Sequence, residues 1–127
     1  YALDIDTGEI KWAFKPDFIC KSDNRQPLFG KGSCSDGFSA PPTVANDVIF
    51  VGSLNGQFYA VNSETGTKLW KYDTFKRYPD TVNKKPAVGG SIEAQGPVVS
   101  DSWVYTSSGY SINGHMTGNI FLAFSIE

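Results

Sequence analysis

The chain has 127 residues, of which 14% are aromatic, 13 are glycine and 7 are proline, and its formal net charge at pH 7 is −2. A slightly acidic chain argues against nucleic-acid binding, which needs a basic face. Apolar runs of about four residues are far too short for a membrane-spanning helix. The composition instead favours an all-β array of short strands separated by turns.

In chain order, the first predicted element is a β-hairpin that recurs later in the chain. Residues 2–12 contain a Thr-Gly turn and end in Trp12, and residues 60–70 repeat this arrangement and end in Trp70. Both copies fit aromatic-Ala-x-(Asp/Asn)-x-x-Thr-Gly-x-x-x-Trp and begin 58 residues apart. A fixed period of this length predicts an array of similar units.

A second pair of similar segments supports the repeat. Residues 42–53 align with residues 97–108, and each segment consists of a strand, a polar turn and a second strand. Helix is expected to be nearly absent. The predicted strands cover residues 1–5, 9–15, 41–45, 48–53, 57–62, 67–73, 95–100, 103–108 and 119–126.

The two complete copies resemble the tryptophan-docking repeat of β-propellers related to quinoprotein (pyrroloquinoline quinone, PQQ) alcohol dehydrogenases. This resemblance implies an all-β fold, part of a β-propeller with four-stranded antiparallel blades. In that family the repeat's Trp packs between blades, against the glycine-containing turn of the next repeat. The role of the ring would fall to Trp12 and Trp70, and that of the turn to Gly8 and Gly66.

The repeat then predicts the limits of the blades. The predicted units are the end of one blade (1–15), an insertion between blades (16–38), a complete blade (39–74), a loop between blades (75–89) and an incomplete last blade (90–127). The segment from Gly90 to Phe124 is similar to the C-terminal blade of polyvinyl-alcohol-dehydrogenase-like members. We therefore expect a C-terminal fragment, whose propeller is completed by the remainder of the same protein or by another chain.

Two cysteines, Cys20 and Cys34, lie 14 positions apart in the predicted insertion. There is no C-x-x-C motif and no paired histidine, so a zinc site is not indicated. A disulfide is favoured over free thiols, because a long Gly-rich loop would benefit from such a link. A disulfide implies an extracellular, periplasmic or lumenal compartment of the secretory pathway.

Candidate ligand-binding residues are few. Ser91, Glu93 and Gln95 alternate in a Gly-flanked stretch that runs into the innermost strand of the last blade, so one face would carry all three. The resemblance places the quinone and substrate sites near such strands, and these three residues are the candidates for cofactor contact; an ordinary strand start is the alternative. Glu93 alone of the three could hold a cation or take a proton. His115, the single histidine, is interpreted as a surface-loop residue rather than a general base.

Three functions remain open at this point. The resemblance implies a dehydrogenase that oxidises an alcohol with PQQ and calcium in the complete protein. A non-catalytic propeller that acts as a scaffold, or a structural component of a larger extracellular assembly, would use the same fold, and fold alone does not decide between them. No cofactor is expected for this chain alone, because so few blades cannot enclose a central site. Neither a nucleic-acid partner nor a membrane span is expected.

Overall fold

The computed structural model describes residues 1–125; the predicted end of the last strand, at residue 126, lies outside this range. The described residues form β-strands without any helix, which confirms the all-β prediction. The strands are β1 (Ala2–Leu3), β2 (Ile10–Trp12), β3 (Thr43–Ala45), β4 (Val48–Gly52), β5 (Gln57–Asn62), β6 (Lys68–Asp73), β7 (Arg77–Tyr78), β8 (Ala87–Val88), β9 (Val98–Ser100), β10 (Trp103–Ser108) and β11 (Ile120–Ser125). In the described part of the chain, no helix offers a candidate for crossing a membrane.

The strands pair with their neighbours in the chain. β3, β4, β5 and β6 form a four-stranded antiparallel sheet in that order, and β9, β10 and β11 form a three-stranded one. Two smaller antiparallel sheets contain β1 with β2 and β7 with β8. Sheets built from consecutive antiparallel strands have the form of β-propeller blades.

The two Thr-Gly turns are built in the same way. Asn62 accepts hydrogen bonds at Oδ1 from the amides of Glu64 (3.0 Å) and Thr65 (2.8 Å). Asp4 accepts the corresponding bonds from the amides of Asp6 and Thr7, both at 3.0 Å. Backbone hydrogen bonds from these two amides lower the pKa of Asp4. An Asp or Asn at this position therefore fixes the turn, which explains why the repeat needs one there.

The four-stranded sheet is covered on both faces because β5 alternates its side chains between them. One face carries Phe58 and Ala60, which pack with Phe50 and with Ile92 and Val104 of the neighbouring sheet. The other face carries Tyr59 and Val61, which pack with Val51, Phe14 and Phe38. Burial raises the pKa of Tyr59 to about 12. β5 is thus the centre of the described structure, sandwiched between its two neighbours in the array.

Several strands are shorter than predicted. β1 stops at residue 3 and β2 begins at residue 10, because residues 4–9 form the turn anchored on Asp4. β2 ends at residue 12, before the predicted residue 15. β3 and β9 begin only at residues 43 and 98. Prolines precede both strands, at 41–42 and at 97, and a proline has no N–H to donate to a strand ladder.

The segment 75–89, predicted as a loop between blades, contains a small hairpin. Arg77 of β7 pairs with Val88 of β8, and Tyr78 pairs with Ala87. The ammonium group of Lys76 lies 4.2 Å from the centre of the Tyr72 ring, which holds the start of this hairpin on β6. Strands of two residues leave no alternating pattern to read, so the sequence could not show them.

Candidate functional site

The stretch that leads into β9 does not form the single-faced strand predicted for it. Ser91 and Glu93 are buried, whereas Gln95 is exposed and lies in a bend at residues 94–95. The backbone of this stretch is tied to the preceding sheet, because the Ile92 amide donates to the carbonyl of Ser53 at 3.1 Å. The structure therefore brings Ser91 and Glu93 into the interior and separates Gln95 from them.

Ser91 links two neighbouring blades. Its hydroxyl donates to the carbonyl of Leu54 and accepts the amide of Met116 at 3.1 Å. Its own amide donates to the carbonyl of Met116 at 2.9 Å, and its carbonyl accepts the amide of Gly109 at 2.8 Å. All hydrogen-bonding groups of Ser91 are engaged within the protein, so it supports the site rather than facing a ligand.

Glu93 is a buried carboxylate whose two oxygens are both occupied. Oε2 accepts from the hydroxyl of Ser111 at 2.6 Å and from the amides of Ile112 (3.1 Å) and Asn113 (3.5 Å). Oε1 lies 3.0 Å from Nδ1 of His115. Only 1% of the side-chain surface of Glu93 is exposed. A buried charge of this kind is tolerated only when it is paired and hydrogen-bonded, as it is here.

The hydrogen bonds decide the ionisation of Glu93. Burial alone raises its pKa, but donors from Ser111, Asn113 and His115 and from the Ile112 amide outweigh burial and lower the pKa to about 2. Glu93 is therefore an anion at neutral pH, and it remains one in moderately acidic solution.

The partner of Glu93 is His115, which the sequence analysis interprets as a surface-loop residue. The two residues lie 22 positions apart, and the connection between β10 and β11 folds back so that the ring reaches Glu93. With 21% of its side-chain surface exposed, His115 is half-buried. One signal in the sequence could have indicated the pair. The predicted last blade contains both the single histidine of the chain and a glutamate in a stretch flanked by glycines.

The loop closed by the disulfide packs against the His115 segment. The structure joins Cys20 to Cys34, and the amide of Ser33 donates to the carbonyl of Gly114 at 3.0 Å. Gly32 approaches so closely that a Cβ there would lie 2.0 Å from the carbonyl oxygen of His115. The segment that contains His115 is therefore contacted both by the disulfide loop and by Glu93.

Arg25 anchors the same loop on the four-stranded sheet. Its guanidinium forms a two-point ion pair with Asp73, at 2.9 and 2.6 Å, and donates to the carbonyl of Asn55 at 2.9 Å. It also lies 5.0 Å from the centre of the Phe75 ring. Paired, stacked guanidinium groups hold a fixed orientation, so the loop rests on a rigid base.

Trp12 contacts the turn of the next repeat. Its Nε1 donates to the carbonyl of Ser63 at 3.1 Å, and a Cβ on Gly66 would lie 2.7 Å from Cδ2 of the ring. Gly66 has a φ of +72° and Gly8, at the corresponding turn, has +73°. No heavy atom lies within 4 Å of a Cβ built on Gly8.

Trp70 occupies a more open position than Trp12. Its ring is 5.1 Å from that of Phe124, 5.9 Å from Phe58 and 6.0 Å from Tyr72, and 39% of the residue is exposed. It borders a cleft of about 650 Å³ between the sheets of β3–β6 and β9–β11. Trp103 lies outside this cleft and stacks on Tyr105 at 6.4 Å.

A metal site is not supported by the groupings found among residues 1–125. Cys20, Cys34 and Asp36 come close together, but both sulfur atoms are in the disulfide. Asp36 accepts from the amides of Ile19 and Cys20. Glu93 has no free oxygen, so it does not fit the role of a direct calcium ligand in this arrangement.

Successive antiparallel sheets that pack through a tryptophan on the next glycine turn define a repeat β-propeller. A family model described as outer membrane protein assembly factor BamB, built on PQQ-type repeats, matches residues 1–111. The chain belongs to this family of PQQ-repeat propellers.

Curated relatives include dehydrogenases. Polyvinylalcohol dehydrogenases of Sphingopyxis sp. (strain 113P3) and of a Pseudomonas species are each 33% identical over 138 residues, which cover 100% of this chain and 20% of the relative. A 1-butanol dehydrogenase (cytochrome c) of Thauera butanivorans is 29% identical over 90 residues, 69% of this chain and 12% of the relative. The chain therefore spans about a fifth of the length of the first two relatives.

Proposed function

We propose that the complete protein is a quinoprotein dehydrogenase that oxidises an alcohol, and that this chain supplies part of its propeller. The observation that carries the proposal is the 33% identity to polyvinylalcohol dehydrogenases along the whole chain. A relative named 1-butanol dehydrogenase supports the same class of substrate. The blade limits proposed from the sequence, with 39–74 as the complete blade, are retained here.

The cofactor of this proposal is PQQ with calcium. When bound, such a quinone accepts the electrons of the alcohol, and the protein positions it and tunes its surroundings. Ser91 and Glu93, the buried candidates of this chain, have their polar groups engaged internally. We therefore propose that the direct quinone and calcium contacts come from other blades, and that this chain alone binds no quinone.

A second candidate is a non-catalytic propeller that acts as a scaffold or as a component of a larger assembly. It is favoured by the description of the matching family model, which names an outer membrane protein assembly factor. The propeller fold serves both functions equally well, so the choice depends on whether the complete protein reacts with alcohols.

The disulfide supports an oxidising compartment. Disulfides persist in extracellular, periplasmic and lumenal environments and are rare in the cytosol, and this chain pairs Cys20 with Cys34. We propose an extracellular, periplasmic or lumenal location. The partner that we propose is the rest of the propeller, which would cover the apolar cleft beside Trp70.

The test uses the complete protein, purified and incubated with PQQ and calcium. Reduction of an artificial electron-acceptor dye is followed after addition of 1-butanol or of polyvinyl alcohol. The dehydrogenase proposal predicts dye reduction that requires both the quinone and the alcohol. Absence of alcohol-dependent reduction with either substrate would favour the scaffold.

A further inference from the structure

We propose that Asn113 is a site of spontaneous deamidation, and that the aspartate or isoaspartate formed there loosens the connection between β10 and β11. The side-chain amide of an asparagine that precedes glycine can be attacked by the next backbone amide, because glycine has no Cβ to hinder the approach. The sequence contains two such pairs, Asn55-Gly56 and Asn113-Gly114. The reaction needs only the chain and water, so it does not depend on the dehydrogenase proposal.

The reaction is a cyclisation followed by a hydrolysis. The backbone nitrogen of Gly114 attacks Cγ of Asn113, and the new C–N bond closes a succinimide ring. The Cγ–Nδ2 bond breaks, and the proton of the Gly114 amide goes to the departing ammonia. Water then adds to either carbonyl group of the ring and breaks its bond to nitrogen, which gives aspartate or isoaspartate. The products carry a carboxylate in place of a neutral amide, so the modification changes the local charge.

The Asn55-Gly56 pair lies in the corresponding connection of the four-stranded sheet, between β4 and β5, and is held closed. Asn55 is 0% exposed, and its Nδ2 donates to the carbonyl of Asp17 at 2.8 Å and to Oδ1 of Asp36 at 3.0 Å. The amide of Gly56, which would be the attacking group, donates to the carbonyl of Ser53 at 3.0 Å. Since both reacting groups are hydrogen-bonded, the ring can form there only after local unfolding.

The Asn113-Gly114 pair is open in both respects. Both residues are exposed and lie in a bend. Among residues 1–125, no acceptor binds the amide of Gly114, and no heavy atom lies within 4 Å of a Cβ built on this glycine. The attacking nitrogen is therefore available, and the surrounding space allows the backbone to rotate towards the side chain.

A carboxylate at position 113 would lie next to a buried one. The amide of Asn113 is 3.5 Å from Oε2 of Glu93, and the Asn113 side chain is among the donors that lower the pKa of Glu93. Deamidation replaces this donor by a negative charge beside a carboxylate with 1% of its side-chain surface exposed. Like charges in one site oppose each other's ionisation, and a buried acceptor that loses a donor is costly. Glu93 would therefore hold the connection less firmly.

The change would also reach the disulfide loop through Gly114. The carbonyl of Gly114 accepts the amide of Ser33 at 3.0 Å, and the amide of His115 donates to the hydroxyl of Ser111 at 2.9 Å. Isoaspartate adds a methylene group to the main chain between Ser111 and Gly114, so the segment cannot keep its present geometry at both contacts. We expect a local loosening, because these contacts lie outside the strands of the two blades.

The first experiment follows deamidation in the complete protein during incubation at mildly alkaline pH. Peptide mapping by mass spectrometry detects the gain of about 1 Da per event, and isoaspartyl methyltransferase labels the isoaspartate product. We expect conversion of Asn113 to be at least about tenfold faster than that of Asn55, which requires local opening. Asn113→Gln should abolish the fast conversion, because glutamine would have to close a larger ring. Equal rates at Asn113 and Asn55, or no conversion at Asn113, would overturn the proposal.

Asn113→Asp tests the effect of the new charge, with Asn113→Gln as the neutral control. Hydrogen exchange in the complete protein measures the amides of Ser33 and His115. We expect both to exchange at least about threefold faster in Asn113→Asp than in Asn113→Gln, while the amides between β4 and β5 stay unchanged. The aged native protein, separated by ion exchange through its added negative charge, should show the same change. Equal exchange in the two variants and in the aged protein would refute the loosening that we assign to the modification.

Discussion

At the scale of single residues, the contact between Trp12 and Gly66 ties consecutive repeats together. A Cβ on Gly66 would lie 2.7 Å from two atoms of the ring, closer than carbon atoms approach one another. We expect Gly66→Ala to lower the free energy of unfolding by about 1–3 kcal/mol more than the cost of its positive φ alone, the usual penalty for overpacking. Denaturation with urea, followed by tryptophan fluorescence and circular dichroism, measures the loss.

Gly8→Ala provides the matched control for this substitution. Gly8 has nearly the same φ as Gly66, and a Cβ there meets no heavy atom within 4 Å. Gly8→Ala in this chain should therefore report the backbone cost without the clash. Equal losses for the two variants would mean that the ring does not determine the need for glycine at position 66.

Trp70 should contribute less than a fully buried tryptophan in this chain. Its ring contacts Phe58 and Phe124 but borders an open cleft, and 39% of the residue is exposed. The loss of about 3–5 kcal/mol typical of emptying a buried aromatic site is therefore an upper bound for Trp70→Ala. Thermal or urea denaturation of the variant measures it, and a larger loss would show that the cleft is closed in solution.

The ionisation of Glu93 makes stability depend on pH in a defined window. Its pKa falls from the ordinary value of 4.5 to about 2 on folding. The stability it contributes is therefore fully present above pH 4.5 and is lost as the pH falls towards 2. Subtracting the urea-unfolding profile of Glu93→Gln from that of the native protein should leave a slope within this window. A flat difference would indicate that the carboxylate is not held as described.

The sequence predicts single residues best where one residue type is suited to one backbone conformation, as glycine is in a tight turn. The Thr-Gly pattern predicts two turns, and the structure has both, with Gly8 and Gly66 at positive φ. The pairing of Glu93 with His115 could not be predicted, because it depends on how a loop folds back over 22 positions. Gln95 was grouped with Glu93 by alternation alone, and a bend at 94–95 separates them.

At the scale of elements, the disulfide loop is the feature that most affects the candidate site. Replacing Cys20 and Cys34 by serine removes a link across about 15 residues, worth roughly 3 kcal/mol in the chain-entropy model. We expect the amide of Ser33, which bonds to the carbonyl of Gly114, to exchange with deuterium faster in this double variant. The amides between β4 and β5 serve as the internal control and should be unaffected. Unchanged exchange at Ser33 would mean that Arg25 and Asp73 hold the loop without the disulfide.

Elements with a clear period were predicted best. β5 and β10 match the predicted ranges 57–62 and 103–108, since a run of six residues rich in aromatic and β-branched side chains suffices to indicate a strand. β7 and β8 were missed because each has two residues and depends on pairing with the other. The predicted starts of β3 and β9 lie too early, because the predicted ranges include prolines, which cannot donate to the strand ladder.

At the scale of the whole molecule, two kinds of contact hold the sheets together. Alternate side chains of β5 pack on the two faces of its sheet, and each repeat contacts the next. The repeat period was sufficient to predict this architecture, because two different patterns each occur twice, at nearly the same spacing. The function is not determined at this scale, since a propeller can serve as an enzyme or as a scaffold. We propose that it depends on residues from several blades, since the chain spans 20% of the length of its polyvinylalcohol dehydrogenase relatives.

The central claim is that the complete protein is a PQQ-dependent propeller to which this chain contributes. The most direct measurement is a calorimetric titration of PQQ into the complete protein, with calcium present and after its removal by a chelator. We predict saturable, stoichiometric binding that weakens when calcium is removed and that persists in the His115→Gln variant, because the quinone contacts are assigned to other blades. No binding of PQQ with calcium present would contradict the claim.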